Sequence, residues 1–172
     1  MTQLRRWLIW LSRIHRCGGF GIQSPTDYWF VRYVVNEQWP YYAYDTLAGD
    51  DWLTQKLGRL YFRLANWRQP EVMLTGRWNR FCHAACLRTR FVSQSDTVEL
   101  AFVDVADTEG YERLLALCDE RSVVVVESPW RDWNRWHAIE CDARVGTTFD
   151  LYYCAIVLFD KRNFYHHYQV NF

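Results

Sequence analysis

The chain has 172 residues, half of them apolar and 18% aromatic, with 10 Trp and 11 Tyr. That length accommodates one domain with a real hydrophobic core, and the composition argues against disorder over most of it. Lys plus Arg and Asp plus Glu are equal at 20 each, so the balance of charge points neither toward nor away from an acidic partner. Locally the picture differs: Arg5, Arg6, Arg13 and Arg16 meet no acidic residue before Asp27, a cluster that suits phosphate, anionic lipid or the wet side of a helix.

In chain order, residues 4 to 16 carry Leu4, Trp7, Leu8, Leu11 and Ile14 at helical spacing, with the arginines largely on the other side. An amphipathic helix ended by Gly18-Gly19 is expected. Its apolar face either docks on the body, meets a protein partner or a second copy, or skims a membrane. GFGIQSP reads as an ordered turn and Tyr28 to Val35 as a short helix. Trp39 to Tyr44 forms an aromatic connector. Asp51 to Trp67 is a third helix, with Trp52, Leu53, Leu57, Leu60, Tyr61 and Leu64 as its apolar stripe. Lys56, Arg59 and Arg63 are then expected to face water or an anion.

After Pro70 the pattern turns to α/β. Glu71 to Leu74 reads as a strand, Arg80 to Arg88 as a short helix, Val98 to Val105 as a strand and Glu109 to Leu117 as a helix. The four valines within Ser122 to Val126 need apolar neighbours on both sides, so that strand belongs inside a covered sheet. Trp130 to Glu140 reads as helical. Two final strands, Thr147 to Phe159 and Tyr165 to Asn171, are expected to pair antiparallel across the turn Asp160-Lys161-Arg162-Asn163. The organisation expected is an N-terminal helical segment, residues 1–68, packed on an α/β core, residues 69–172, as a single domain.

The six cysteines are too sparse for a disulfide scaffold, and Cys118 and Cys154 lie in apolar segments, so reduced thiols in a cytoplasm are expected. The longest apolar run, Leu151 to Phe159, is nine residues, far short of a transmembrane segment. WLIWL is too short to suggest a signal peptide.

The candidate chemistry is limited. In LTGRWNRF only Gly76 is available for a cofactor turn, and Arg77 and Trp78 stand where a tight nucleotide loop wants small residues. Asp104 and Glu127 are a better pair, each at the C-terminal end of a strand where open α/β sheets place ligand groups. They could hold a cation or substrate hydroxyls, or accept backbone N–H bonds instead. Asp107 is placed to cap the following helix. Cys82-His83-x-x-Cys86 lacks the further ligands of a zinc site, so no metal is expected. His166 and His167 should point to opposite faces of the last strand. Trp130, Arg131, Trp133, Arg135 and Trp136 invite nucleic-acid stacking, but the three tryptophans can share one helix face in packing, and nucleic acid is not favoured.

The blocks HRCGGFGIQSPTDYWFVRYVV, PYYAYDTL, LGRLYFRLANWRQPEVMLTG, LAFVDVADTEGYERLLAL, SVVVVESPW and TTFDLYYCAIVLFDKRNFYHHYQVNF together resemble bacterial class I S-adenosylmethionine-dependent methyltransferases, especially the short Bacteroidetes type. The resemblance implies a Rossmann-like methyltransferase fold: a reduced doubly wound sheet with a C-terminal antiparallel strand pair and N-terminal helices. Gly76 matches one glycine of the family's cofactor loop, whereas Arg77, Trp78 and Asn79 replace its permissive run. Only 23 residues separate Gly76 from Leu100, too few for two strand-helix units at about 1.5 Å per helical and 3.3 Å per strand residue. One unit is therefore expected to be missing, and no ribose-binding acid stands out. Asp104 matches an acidic strand end of the family, Glu127 a further acidic position and Trp130 a following tryptophan, a ligand pocket in outline; ESPW lacks the second metal-binding residue. The implied protein is a methyltransferase-like pseudoenzyme with a small-ligand or protein-interaction role. The alternative is a divergent methyltransferase that uses S-adenosylmethionine on an unidentified substrate.

Overall fold

The computed structural model describes residues 3–49, 51–160 and 165–172. Helix α1 (Gln3–Ser12) leads through a 3-10 segment (Ile14–Gly19) to α2 (Pro25–Phe30). Ser24 caps α2, its side chain accepting from the Asp27 N–H, and Pro25 sits in the first turn where no N–H is missed. A π-helical turn (Val31–Val35) follows, then α3 (Ala43–Thr46) and α4 (Trp52–Arg68). Asp51 caps α4 by accepting from Leu53 and Thr54, and Gln69 ends it in the left-handed conformation at φ 49°.

The α/β part contains β1 (Val72–Leu74), α5 (Asn79–Ala85), β2 (Arg90–Val92), β3 (Val98–Asp104), α6 (Thr108–Leu115), β4 (Cys118–Glu127), a 3-10 turn (Pro129–Arg131), α7 (Trp133–Glu140), β5 (Thr147–Asp150), β6 (Cys154–Leu158) and β7 (His166–Gln169). Strands β1 and β2 form a parallel pair, and the other five form a mixed sheet in the order β3-β4-β6-β5-β7. The two sheets abut: β1 lies against β3. At the start of β1 the Glu71 N–H donates to the Glu99 carboxylate on β3 at 2.7 Å. Beyond its end, the Trp78 indole reaches Glu127 at the end of β4 at 3.0 Å. So β1 runs in the same direction as β3 and β4. The chain leaves β1 toward β2 on one side and β3 toward β4 on the other, which makes the β1/β3 boundary a topological switch point.

Alternation along β4 divides the core between two faces. Val123 and Val125 join Leu100, Phe149 and Ile156 beneath α2, α4 and α5. Val124 and Val126 join Ala101, Val103, Ala155 and Val157 beneath α6 and α7. A strand covered on both faces and hydrogen-bonded on both edges is where consecutive valines are stable. The larger cluster draws on the helices before residue 68 and the strands after it alike.

Three expectations need correction. Thr147 to Phe159 is not one strand: the chain reverses at Leu151–Tyr153, and β5 and β6 are the antiparallel pair. The terminal strand β7 instead pairs parallel to β5, His166 opposite Thr147. The strand-ending signal here is Tyr152 at φ 69°, a conformation that no glycine or asparagine announces. Residues 161–163 of the anticipated turn lie outside the described residues. Second, the expected helix from Trp130 to Glu140 breaks at Asp132, whose side chain caps α7 by accepting from the Arg135 N–H. The tryptophans then part: Trp136 is buried, Trp133 is exposed and Trp130 is half-buried.

The third correction concerns α1. None of its residues is buried: Leu4, Leu8 and Leu11 of its apolar stripe are exposed, Leu4 by 71%, while Ile9 packs against the core and Trp7 and Trp10 border a cavity beneath the helix. The arginine side faces the body. Arg6 lies 4.1 Å from the Trp52 ring centre, Arg5 lies 5.2 Å from that of Trp130, and Arg13 forms an ion pair with the buried Asp150 at 2.7 Å. Likewise Arg63 does not face water. It is 7% exposed, its Nε donating to the Val34 carbonyl and one Nη to that of Val35, where they cap the π-helical turn. No helix among the described residues is long and apolar enough to cross a membrane.

Candidate functional site

The switch-point geometry directs attention to the C-terminal ends of β1, β3 and β4. Asp104 and Glu127 are brought together there as register partners on adjacent parallel strands. Their roles diverge at once. One Asp104 oxygen accepts from the Ala106 N–H at 3.0 Å, and the other faces the Arg131 guanidinium at 3.5 Å. Asp104 thus ties down the turn that follows its own strand. Asp107 caps α6 as expected, accepting from the Gly110 N–H.

Glu127 meets Trp78. The indole N–H donates to the Glu127 carboxylate at 3.0 Å, and the ring is 2% exposed. Tyr61 contacts it edge-on with centroids 4.7 Å apart, and Phe81 lies on another side at 5.8 Å. Phe102 closes on the far side of Tyr61 at 4.8 Å. Burial is the largest influence on Glu127 and raises its pKa; the Trp78 hydrogen bond and the Arg77 charge oppose that rise, and Asp104 adds to it. One oxygen of the carboxylate is thus held by an indole set in an aromatic nest.

Gly76 stands two residues beyond the end of β1. It is exposed, its N–H donates to the Asn79 side chain at 2.9 Å, and a Cβ built on it would meet nothing within 4 Å. Among the described residues, no atom approaches this glycine closely enough to require the missing side chain. Beside it lies a shallow cleft of about 720 Å³ among the ends of β1 and β2 and helix α6, lined by Thr75, Ser93 to Asp96, Phe102 and Arg113. The route from β2 to β3 is the short segment 93–97, so this cleft borders the place where a second strand-helix unit would have stood. Asp96, which sequence reasoning passed over because β2 was not recognised, lines it.

Trp130 makes no hydrogen bond to either carboxylate but is linked to Asp104 through Arg131, whose guanidinium lies 5.7 Å from the Trp130 ring centre. Its ring is parallel to that of Tyr152, with centroids 6.3 Å apart, and Arg5 covers it. Cys82 and Cys86 are buried while His83 is exposed and lies against Phe91, so the three do not converge. Among the described residues, no group of three or more His, Cys, Asp or Glu side chains is gathered as a metal site. All six cysteines are free thiols. Burial pushes the Cys82 thiol up to about 12, which makes it inert as a nucleophile. In the last strand, His167 faces Thr148, Nδ1 to Oγ1 2.9 Å, and His166 stacks on Tyr168.

A second cavity, of about 440 Å³, lies between α1, the start of α4 and the β5–β6 reversal. Sequence reasoning did not find it, since its walls come from four separated stretches of chain. Comparison with protein-family models, with curated proteins and with solved structures returns no match for this chain.

Proposed function

We propose that this chain is a methyltransferase-like scaffold whose donor seat is closed, and that it acts by binding and not by methyl transfer. What carries this reading is the Trp78–Glu127 contact. Ligands of open α/β sheets sit outside the strand ends at a switch point. Here that position holds a buried indole, held by a hydrogen bond and an aromatic nest. The resemblance to class I methyltransferases is supported by the order β2-β1-β3-β4-β6-β5-β7 across the two abutting sheets, which departs from the doubly wound order by one strand lost outside β2, by the antiparallel β6 and by the added edge strand β7. Deleting that unit removes one wall of a nucleoside site, and Trp78 fills volume at its centre. The fold survives because sheet burial is independent of donor binding.

The exposed apolar stripe of α1, from Leu4 through Leu8 to Leu11, supports a protein partner or a second copy as the other participant. Calorimetric titration with S-adenosylmethionine and S-adenosylhomocysteine tests the reading: neither should give a saturable heat at millimolar ligand. Saturable binding would sink it. The cleft beside Gly76 favours one rival, a divergent methyltransferase with its donor displaced toward Asp96. In that event donor binding appears in the native chain and is lost in Asp96→Asn.

A further inference from the structure

The cavity under α1 has an unusual lining. Trp7, Trp10, Trp52, Tyr152, Tyr153 and Phe172 supply aromatic walls, and Arg6, Arg13 and Lys56 supply positive charge. No Asp or Glu lines it. Arg13 is already satisfied by Asp150. Lys56 is different. Its ammonium sits over the Phe172 ring at 4.3 Å and the Trp52 ring at 5.4 Å, and no carboxylate among the described residues lies within ion-pair distance. Half-burial of this side chain, chiefly through desolvation and secondly through the Arg63 charge, lowers its pKa to about 8.

From the lining and the unpaired ammonium we infer that this cavity binds a planar aromatic carboxylate, its ring against the aromatic walls and its anionic end on Lys56. Aromatic walls favour a flat apolar body, through offset stacking and burial of its surface. An ammonium half out of water without a counter-ion gains most from an anion that shares its desolvated setting. A neutral apolar ligand leaves that charge unpaired, and a phosphate or free ion leaves the aromatic walls unused. The volume falls within the range of small-molecule sites, about 300–1,000 Å³, and takes two fused rings with one substituent. This goes beyond the closed-donor reading and does not depend on it, since no residue is shared with the Trp78–Glu127 contact.

The test uses the whole chain and two matched probes, 2-naphthoate and the neutral 2-naphthalenemethanol, measured by calorimetry at pH 7. Naphthoate should bind at least about tenfold tighter than the alcohol. Lys56→Met should abolish that preference while leaving the alcohol's affinity within about twofold, and Lys56→Arg should keep it. Between pH 7 and pH 9.5 the native chain should lose about tenfold in naphthoate affinity as the ammonium deprotonates, with the alcohol unaffected. The charged and titratable groups facing Lys56 are Arg63 on its own helix, Arg6 on α1, Arg13 just beyond it, Tyr152 and Tyr153 on the reversal, and the buried Cys154 thiol. The alcohol controls for their effect on the walls. Equal affinity for the two probes, no binding of naphthoate at millimolar concentration, or an undiminished preference in Lys56→Met each overturns the proposal. Failure here leaves the donor titration untouched, and donor binding leaves this result untouched.

Discussion

Two hollows of the same molecule treat their charged groups in opposite ways. At the strand ends, Glu127 is half-buried and the chain supplies its partner, the Trp78 indole, inside a nest of rings. Under α1, Lys56 is half-buried and the chain supplies only ring faces. A polar group whose hydrogen bond is completed internally specifies structure; one left with incomplete compensation has free energy to give to a ligand. The position that the strand topology marks for a ligand is therefore the self-satisfied one. The opening lies elsewhere, roofed by a helix that the topology did not require.

The strongest way to break this comparison is to remove the plug. Trp78→Ala deletes a fully buried ring and strands the Glu127 carboxylate, and should cost about 3–5 kcal/mol in urea unfolding. Trp78→Phe keeps most of the packing and loses only the N–H, and should cost about 1–3 kcal/mol. If both variants were as stable as the native chain, the indole would be resting in an open site and not completing the core. The roof is tested by Arg13→Met. Asp150 is 1% exposed and faces the Arg13 guanidinium through both carboxylate oxygens, at 3.2 and 2.7 Å. Breaking one side of a buried pair costs about 3–5 kcal/mol, and the lower end applies here because the Tyr152 N–H also donates to Asp150. Protease cleavage within residues 3–12 should accelerate at the same time. An unchanged cleavage rate would show that α1 is held by something other than its arginines.

Much of this was legible in the residues. Period-3.6 stripes located α4, and the valine run located a strand covered on both faces, because burial on both sides leaves no polar alternation to disguise it. Asp104 and Glu127 were legible as strand-end carboxylates, but that their strands are neighbours came only with the fold. What escaped had physical reasons. Strand β2 is only three residues, Arg90–Val92, with an exposed arginine at its start, so Phe91 and Val92 are too short a run to register as a strand pattern. The reversal at Tyr152 uses a left-handed tyrosine held by Trp130, Trp133 and Arg13, a tertiary cause invisible in local propensity. Most telling is α1. The sequence shows it to be amphipathic but leaves open whether its apolar side docks on the body, meets a partner or skims a membrane, and guanidinium groups stack on aromatic rings as readily as they face water. The body presents tryptophan and tyrosine on that surface, and the arginines take them.

The smallest expected effect is also the sharpest test of how Glu127 is held. Burial raises its folded pKa above the ordinary 4.5, so the folded state holds its proton more tightly than the unfolded state. Stability from this group is then fully present below about pH 4.5 and is lost as pH rises through the folded value. Glu127→Gln keeps an oxygen to accept the Trp78 N–H and removes the buried charge. The variant should be slightly more stable than the native chain at pH 7, with the gain disappearing below pH 4.5, read from urea midpoints across that range. A loss of stability at pH 7 would mean that Arg77 and Arg131 need the negative charge more than burial opposes it. The strand-end hollow would then resemble the cavity under α1, with a charge placed for an outside partner.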